Sequence, residues 1–185
     1  MKRANNLYEQ IAEPNNLRLA YLKACRGKRD RREVIAYRQK LGTNLANLRL
    51  QFLERAVKVG SYHFFRIFDP KERQICAASF SERVLHHAIM NVCEPVLERY
   101  AIGDSFACRQ GKGHRRALLR AQQFARANDW YLKLDIRKYF DSIDQQILFD
   151  LLKRQIKDRD LLHLFKQVLD TYAKLAGRGL PIGNL

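Results

Sequence analysis

The sequence predicts a helix-rich α/β fold of the α+β kind. Three observations predict it. Apolar residues recur at three- and four-residue spacing through most of the chain, the period of amphipathic helices. Two stretches, residues 61–77 and 130–136, carry instead the aromatic richness or the strict alternation of strands. Hydrophobic residues make up 46% of the 185 positions, enough for one sizeable core or for one domain and a portion of another.

The elements follow in order. Leu7 to Ala12 begins a short helix, Pro14 interrupts it, and Leu17 to Cys25 resumes with Leu19, Ala20 and Leu22 on neighbouring turns. After a charge-rich turn at residues 26–32, Val34, Tyr37, Leu41, Leu45, Leu48, Phe52 and Val57 mark one long helix, with Gly60 as its cap. Tyr62, Phe64, Phe65, Ile67 and Phe68 are strand formers, residues 69–72 a turn, and Arg73 to Ala77 a returning strand. Ser79 and Glu82 form a capping-box pattern before a helix that turns Val84, Leu85, Ala88, Ile89 and Val92 inward and ends or kinks at Pro95. His86 and His87 are adjacent, so they cannot form an i, i+4 metal pair and take structural or surface roles. Gly111 and Gly113 flank Lys112 ahead of a helix over residues 115–127. Leu132, Leu134 and Ile136 then alternate with Tyr131, Lys133 and Asp135, which predicts a short strand with Asp135 on its polar face. Two amphipathic helices follow, marked by Ile147, Leu148, Leu151, Leu152 and Ile156, and by Leu161, Leu162, Phe165, Val168, Leu169 and Tyr172; both are expected to cover the apolar face of the sheet.

Charge narrows the function. The formal net charge is +16, which implies a polyanionic partner, and nucleic acid fits better than a membrane surface. Residues 1–60 alone hold 14 Lys and Arg against 5 Asp and Glu. The run at 26–32 reads either as a solvated face or as a contact for a phosphate backbone. No apolar run is long enough to span a membrane, and the first residues lack the apolar centre of a signal peptide, so a cytoplasmic protein is expected. Four widely spaced cysteines, Cys25, Cys76, Cys93 and Cys108, argue for reduced thiols rather than a zinc site.

The chemistry centres on residues 135–144, Asp-Ile-Arg-Lys-Tyr-Phe-Asp-Ser-Ile-Asp. A carboxylate on the open face at a strand end suits a hard cation such as Mg²⁺. Asp141 and Asp144 lie where a helix needs an N-cap, so capping or surface roles suit them better than metal binding. Lys71 and Arg73, at the tip of the hairpin, would suit a triphosphate if aimed at a cleft, or serve only solubility. The Gly-rich turn at 111–113 can hold a phosphate on its amides, but it is neither a Walker loop nor a dinucleotide turn.

This block resembles the first catalytic-aspartate block of reverse transcriptases from retrons, group II introns and diversity-generating retroelements. Three further stretches agree in the same order. Residues 67–88, from Ile-Phe-Asp-Pro-Lys-Glu-Arg to Arg-Val-Leu-His-His-Ala, resemble the family's basic fingers hairpin and the helix after it. Phe106 to Gly113 resembles a Phe-x-x-Arg-x-Gly-x-Gly block that lies along the template strand, and residues 180–183, Leu-Pro-Ile-Gly, resemble a Leu-Pro-x-Gly element beside the nucleotide. The likeness covers roughly residues 62–185, and beyond it residues 1–60 share only a basic, helical character.

The resemblance implies a right-hand polymerase: residues 1–60 a basic helical extension, 61–129 fingers, and 130–185 an incomplete palm. It implies Asp135 as catalytic residue and Mg²⁺ ligand. Lys71, Arg73, Tyr139, Phe140, Pro181 and Gly183 would contact the incoming nucleotide, with Phe140 as a steric gate against the ribose 2′-hydroxyl. Arg83, Arg109, Lys112 and Arg115 would contact nucleic acid. Partners would be an RNA template, a DNA or RNA primer and dNTPs. Ile182, where many members have Gln, is similar to the diversity-generating retroelement enzymes, whose partners would include a small basic accessory protein. The family's Tyr/Phe-x-Asp-Asp block does not occur in the 185 residues, and two-metal transfer needs its carboxylates. The stretch is therefore expected to be inactive alone. A non-catalytic, reverse-transcriptase-like nucleic-acid-binding protein is the alternative; a basic helical interaction protein is the third reading.

Overall fold

Nine helices and one hairpin are laid out along the described residues of the chain in a computed structural model, which describes residues 2–68, 72–172 and 177–181. In order they are α1 (Tyr8–Ile11), α2 (Pro14–Ala24), α3 (Arg32–Gln39), α4 (Leu41–Leu53), β1 (Tyr62–Phe68), β2 (Glu72–Ala78), α5 (Phe80–Glu98), α6 (His114–Ala127), α7 (Tyr139–Ser142), α8 (Gln145–Gln155) and α9 (Arg159–Asp170). The helix-rich mixed α/β class is the observed one. The chain forms two compact units, Met1–Val96 together with Lys138–Leu185, and Leu97–Arg137. The boundaries expected at 60 and 129 concern functional regions; the compact units follow packing.

The first unit has a helical core. Pro14 opens α2, where a fixed φ suits the first turn. Its Leu17, Ala20, Tyr21 and Ala24 are buried, as are Phe52 of α4, Val84, Leu85, Ala88, Ile89 and Cys93 of α5, and Leu161 and Leu164 of α9. Aromatic edges lock the helices: Tyr8 meets Phe52 at 5.4 Å between ring centres and Tyr37 meets Phe80 at 5.0 Å. Burial pushes the Cys93 thiol up to about 12, which keeps it protonated. Asp158 is a buried double cap. Its Oδ2 accepts from the amides of Leu7 (2.7 Å) and Tyr8 (2.9 Å), and its Oδ1 from that of Leu161 (3.1 Å). Ala4 pairs in parallel with Ile156 beside it.

The long helix expected over 34–57 is two. Lys40 leaves the helical region (φ −118°, ψ 33°), so α3 ends and α4 begins on either side of it. Gly60 does not cap it. Arg55 takes the left-handed conformation instead, and the amides of Arg55 and Ala56 return to Phe52 (3.1 Å) and Gln51 (2.8 Å) in a Schellman turn. Pro95 does not end α5, which runs on to Glu98.

The hairpin forms as expected, with Tyr62 opposite Ala78 and Phe68 opposite Glu72. Ser79 Oγ accepts from the Glu82 amide (3.3 Å), which is half of a capping box. The buried Glu82 carboxylate turns the other way. It accepts from the amides of Gly60 (3.0 Å) and Ser61 (3.4 Å), and His86 Nε2 lies 3.3 Å from it. Gly60 is required there: its φ is +94° and a Cβ would meet Thr171 Cγ2 at 3.1 Å. Burial works against the Glu82 ion, but the contacts to His86, Gly60 and Ser61 outweigh it and hold the carboxyl below its ordinary value. The folded state thus favours the ion. Its contribution is full above the ordinary carboxyl range and is lost as pH falls through the lowered value. Glu82→Gln should cost about 1–2 kcal/mol at neutral pH, and its unfolding midpoint should approach that of wild type only as pH falls through the lowered Glu82 value. Denaturant melts across pH test this, and a gap that persists in acid would contradict it.

Residues 130–136 form no strand, contrary to the alternation. Trp130, Tyr131, Leu132 and Leu134 are each at least 80% exposed. Alternation predicts a half-buried strand only where a ladder partner exists, and no described residue pairs with this stretch. Consequently α8 and α9 cover no sheet there. Helix α9 buries Leu161, Leu164 and Leu169 in the helical core, while α8 leaves Ile147 and Leu151 exposed. No helix among the described residues is long and apolar enough to cross a membrane.

Candidate nucleic-acid interface

The turn after Arg137 is shaped by its own residues. Lys138 takes the left-handed conformation (φ 52°, ψ 45°), a cost for a side chain with a Cβ. It starts α7, whose Tyr139 and Phe140 meet edge to face at 5.3 Å and stay about half exposed. Asp144 caps α8, accepting from the Ile147 amide at 3.0 Å, as its position before a helix predicts. Residues 177–180 then run antiparallel to this turn. The amides of Gln145, Gly179 and Leu180 bond to the carbonyls of Gly177 (3.0 Å), Ile143 (2.9 Å) and Phe140 (2.9 Å). The aspartate-block turn and the segment leading to Pro181, far apart in sequence, are thereby joined.

Gln145 secures that junction. Its buried Nε2 donates toward the carbonyls of Leu169 (3.1 Å), Tyr172 (2.5 Å) and Gly179 (3.0 Å). Nothing in the sequence singles out this glutamine, because all three acceptors are distant backbone atoms.

The second unit is a basic helix with its preceding loop. Gly113 (φ +97°) leads into α6, none of whose side chains is buried. Arg109 is turned into the loop. It pairs with Glu98 (2.5 Å) and donates to the carbonyls of Ile102 (2.6 Å) and Ser105 (2.9 Å). That hydrogen bond holds the Glu98 carboxyl below its ordinary value. Lys112 donates to the Gly103 carbonyl (2.5 Å) and stands over the Phe106 ring, and Arg120 pairs with Asp104 (2.8 Å). Arg115, Arg116 and Arg126 make no ion pair among the described residues. Trp130 and Tyr131 extend beyond this helix almost fully exposed. Alternation alone makes them the start of a strand. An aromatic pair beside a basic helix is the signal that alternation hides, since such rings offer bases a stacking surface.

Asp135 lies in this second unit, exposed and without a hydrogen bond among the described residues, whereas Tyr139 and Phe140 belong to the first. No three His, Cys, Asp or Glu side chains cluster among the described residues. One exposed carboxylate does not make the oxygen shell that Mg²⁺ requires, so the described residues do not by themselves fit that ion. Arg73 is exposed on β2 opposite Ile67. Arg83 is mostly buried and pairs with Glu33 at 2.9 Å. Lys71, Ile182 and Gly183 lie outside the described residues.

Comparison with known proteins finds distant relatives. No protein-family model matches the chain. An uncharacterized mitochondrial protein, ymf11, of Marchantia polymorpha is 24% identical over 102 residues, covering 55% of this chain and 14% of that protein. Nuclear intron maturase 2, mitochondrial, of Arabidopsis thaliana is 26% identical over 144 residues, 69% of this chain and 20% of the maturase. Nuclear intron maturase 1, mitochondrial, of the same plant is 24% identical over 90 residues, 49% and 13% respectively. The chain therefore has weak similarity to intron maturases and spans a fifth or less of the curated relatives it matches.

Proposed function

We propose that this stretch is the fingers and the beginning of the palm of a reverse-transcriptase-like protein that binds RNA, and that in a complete enzyme it contributes to RNA-directed DNA synthesis with Mg²⁺, a primer and dNTPs. One observation carries the reading. The aspartate-block turn and the Leu-Pro segment, two of the four ordered sequence blocks, are hydrogen-bonded neighbours. The intron maturases among the relatives support the group II intron side of the resemblance rather than the diversity-generating subgroup, whose cue, Ile182, lies outside the described residues. The non-catalytic alternative draws support from Asp135, which gathers no carboxylate cluster among the described residues. The compartment is a separate matter. The sequence leads to the cytoplasm, the relatives are named as mitochondrial, and fractionation of the tagged native protein decides.

The test uses the 185 residues themselves. With a charge of +16, they should bind single-stranded RNA with a log affinity that falls linearly in log salt, by about 0.7 for each phosphate contacted. Affinity that is flat in salt overturns RNA binding. Mg²⁺-dependent primer extension by these residues alone overturns the assignment as an incomplete catalytic site.

A further inference from the structure

Some cations in this fold meet an acid: Arg55 pairs with Asp160, Arg66 with Glu72, Arg109 with Glu98 and Arg120 with Asp104. One group of cations in the first unit is gathered around the turn that follows α2. The turn after α2 is fixed by backbone bonds, Lys28 N to Cys25 O (3.0 Å) and Arg31 N to Lys28 O (3.1 Å). Two contacts tie the flanks of this turn to α5: Glu33 meets Arg83 Nη2 at 2.9 Å, and Lys23 Nζ donates to Asn91 Oδ1 at 2.5 Å. The half-buried Lys28 and the exposed Arg31 thus lie beside the stretch of α5 that carries Arg83 and, one helical turn further on, His87. Glu33, the acid that acts on Lys28, is already committed to Arg83. The Arg83 Nε–H is buried and has no acceptor among the described residues. Asp30, in the same turn, is exposed and forms no ion pair among the described residues.

We propose that Lys28, Arg31, Arg83 and His87 form a phosphate-binding site, and that it takes a backbone phosphate of bound RNA. Guanidinium and ammonium groups converging from a turn and a helix match the oxygens of a phosphate. An anion there offsets the mutual repulsion that the fold otherwise imposes. That repulsion is visible in the ionisation of the groups. Burial, then Arg83 and Arg31, lower Lys28 against the opposing pull of Glu33. Burial, then Lys23, His86, Arg83 and Lys28, lower His87. The RNA half of the proposal rests on the function proposed above; the phosphate half does not.

Two arms test it. In the first, the His87 imidazole of the full chain is titrated by proton NMR, its signal assigned by loss in His87→Gln. Replacing chloride with inorganic phosphate should raise its midpoint by about half a unit or more, because a bound anion favours the imidazolium. Lys28→Gln and Arg31→Gln should each reduce that response, while Lys166→Gln, which removes one charge on α9, keeps it. An unchanged midpoint in phosphate overturns the site. In the second arm, the two turn variants should make the salt dependence of RNA binding shallower by about 0.7, the loss of one phosphate contact. Phosphate sensitivity with an unaltered RNA slope overturns the backbone assignment and gives the site to a free phosphate-bearing ligand. Failure of wild type to bind RNA overturns the proposed function, and the NMR arm still reads the site.

Discussion

Asp135→Asn, made in a polymerase that carries this stretch intact, should cut DNA synthesis by a factor on the order of 10³ or more and leave RNA affinity nearly unchanged. The magnitude follows from the role proposed for it as a metal ligand in the complete enzyme. A metal that polarises a phosphoryl oxygen contributes several kcal/mol to the transition state, and each 1.36 kcal/mol is about tenfold in rate. Asparagine keeps the shape and removes the anionic oxygen that a hard cation prefers. No compensating structural loss is expected, because Asp135 is exposed and makes no hydrogen bond among the described residues. Primer extension and RNA binding measured side by side check this. Retained synthesis would remove Asp135 from the chemistry, and a parallel loss of RNA affinity would assign it to binding instead.

Asp158→Ala should destabilise the fold by about 3 kcal/mol. Three amides converge on this one carboxylate, two from the start of α1 and one from the first turn of α9. Losing an N-cap costs about 1–2 kcal/mol, and buried donors left without an acceptor add to that. Asp158→Asn should recover little, since its amide group would face amide donors. Asp158→Ser should restore the α9 cap and leave Leu7 and Tyr8 unheld. Denaturant unfolding gives the totals, and amide exchange at Leu7 and Tyr8 separates the two ends. A shift under about 0.5 kcal/mol for Asp158→Ala would show the double cap to be without weight.

Local signals are legible where local forces decide. The hairpin, the break between α1 and α2, the Asp144 cap and the long apolar rows of α5, α8 and α9 follow from period, turn chemistry and caps, although α2 starts at Pro14 itself and not at Leu17. The break at Lys40 is nearly hidden, because residues 34–57 keep a helical period across it; Gly42, a poor helix former two residues on, is the trace it leaves. Residues 130–136 mislead for the opposite reason: the alternation is real, but a strand also needs a neighbour. Gln145 and the second half of the Asp158 double cap are invisible because their partners are distant backbone atoms that any residue would supply. Of the candidate site, the resemblance to reverse transcriptases implies that the aspartate turn and the Leu-Pro segment belong together. It does not show that Arg109 and Arg83 are committed to Glu98 and Glu33.

The parallel pairing of Ala4 with Ile156, sealed by Asp158, imposes a schedule on the newborn protein. The first helix cannot be clamped until residues some 150 positions later have left the ribosome, a wait on the order of ten seconds at ordinary elongation rates. Throughout it, Leu7, Tyr8 and Ile11, all buried at the end, have no completed core to enter. This segment is thus made well before the residues that clamp it, and its oily side chains are what a chaperone waiting at the exit tunnel would meet.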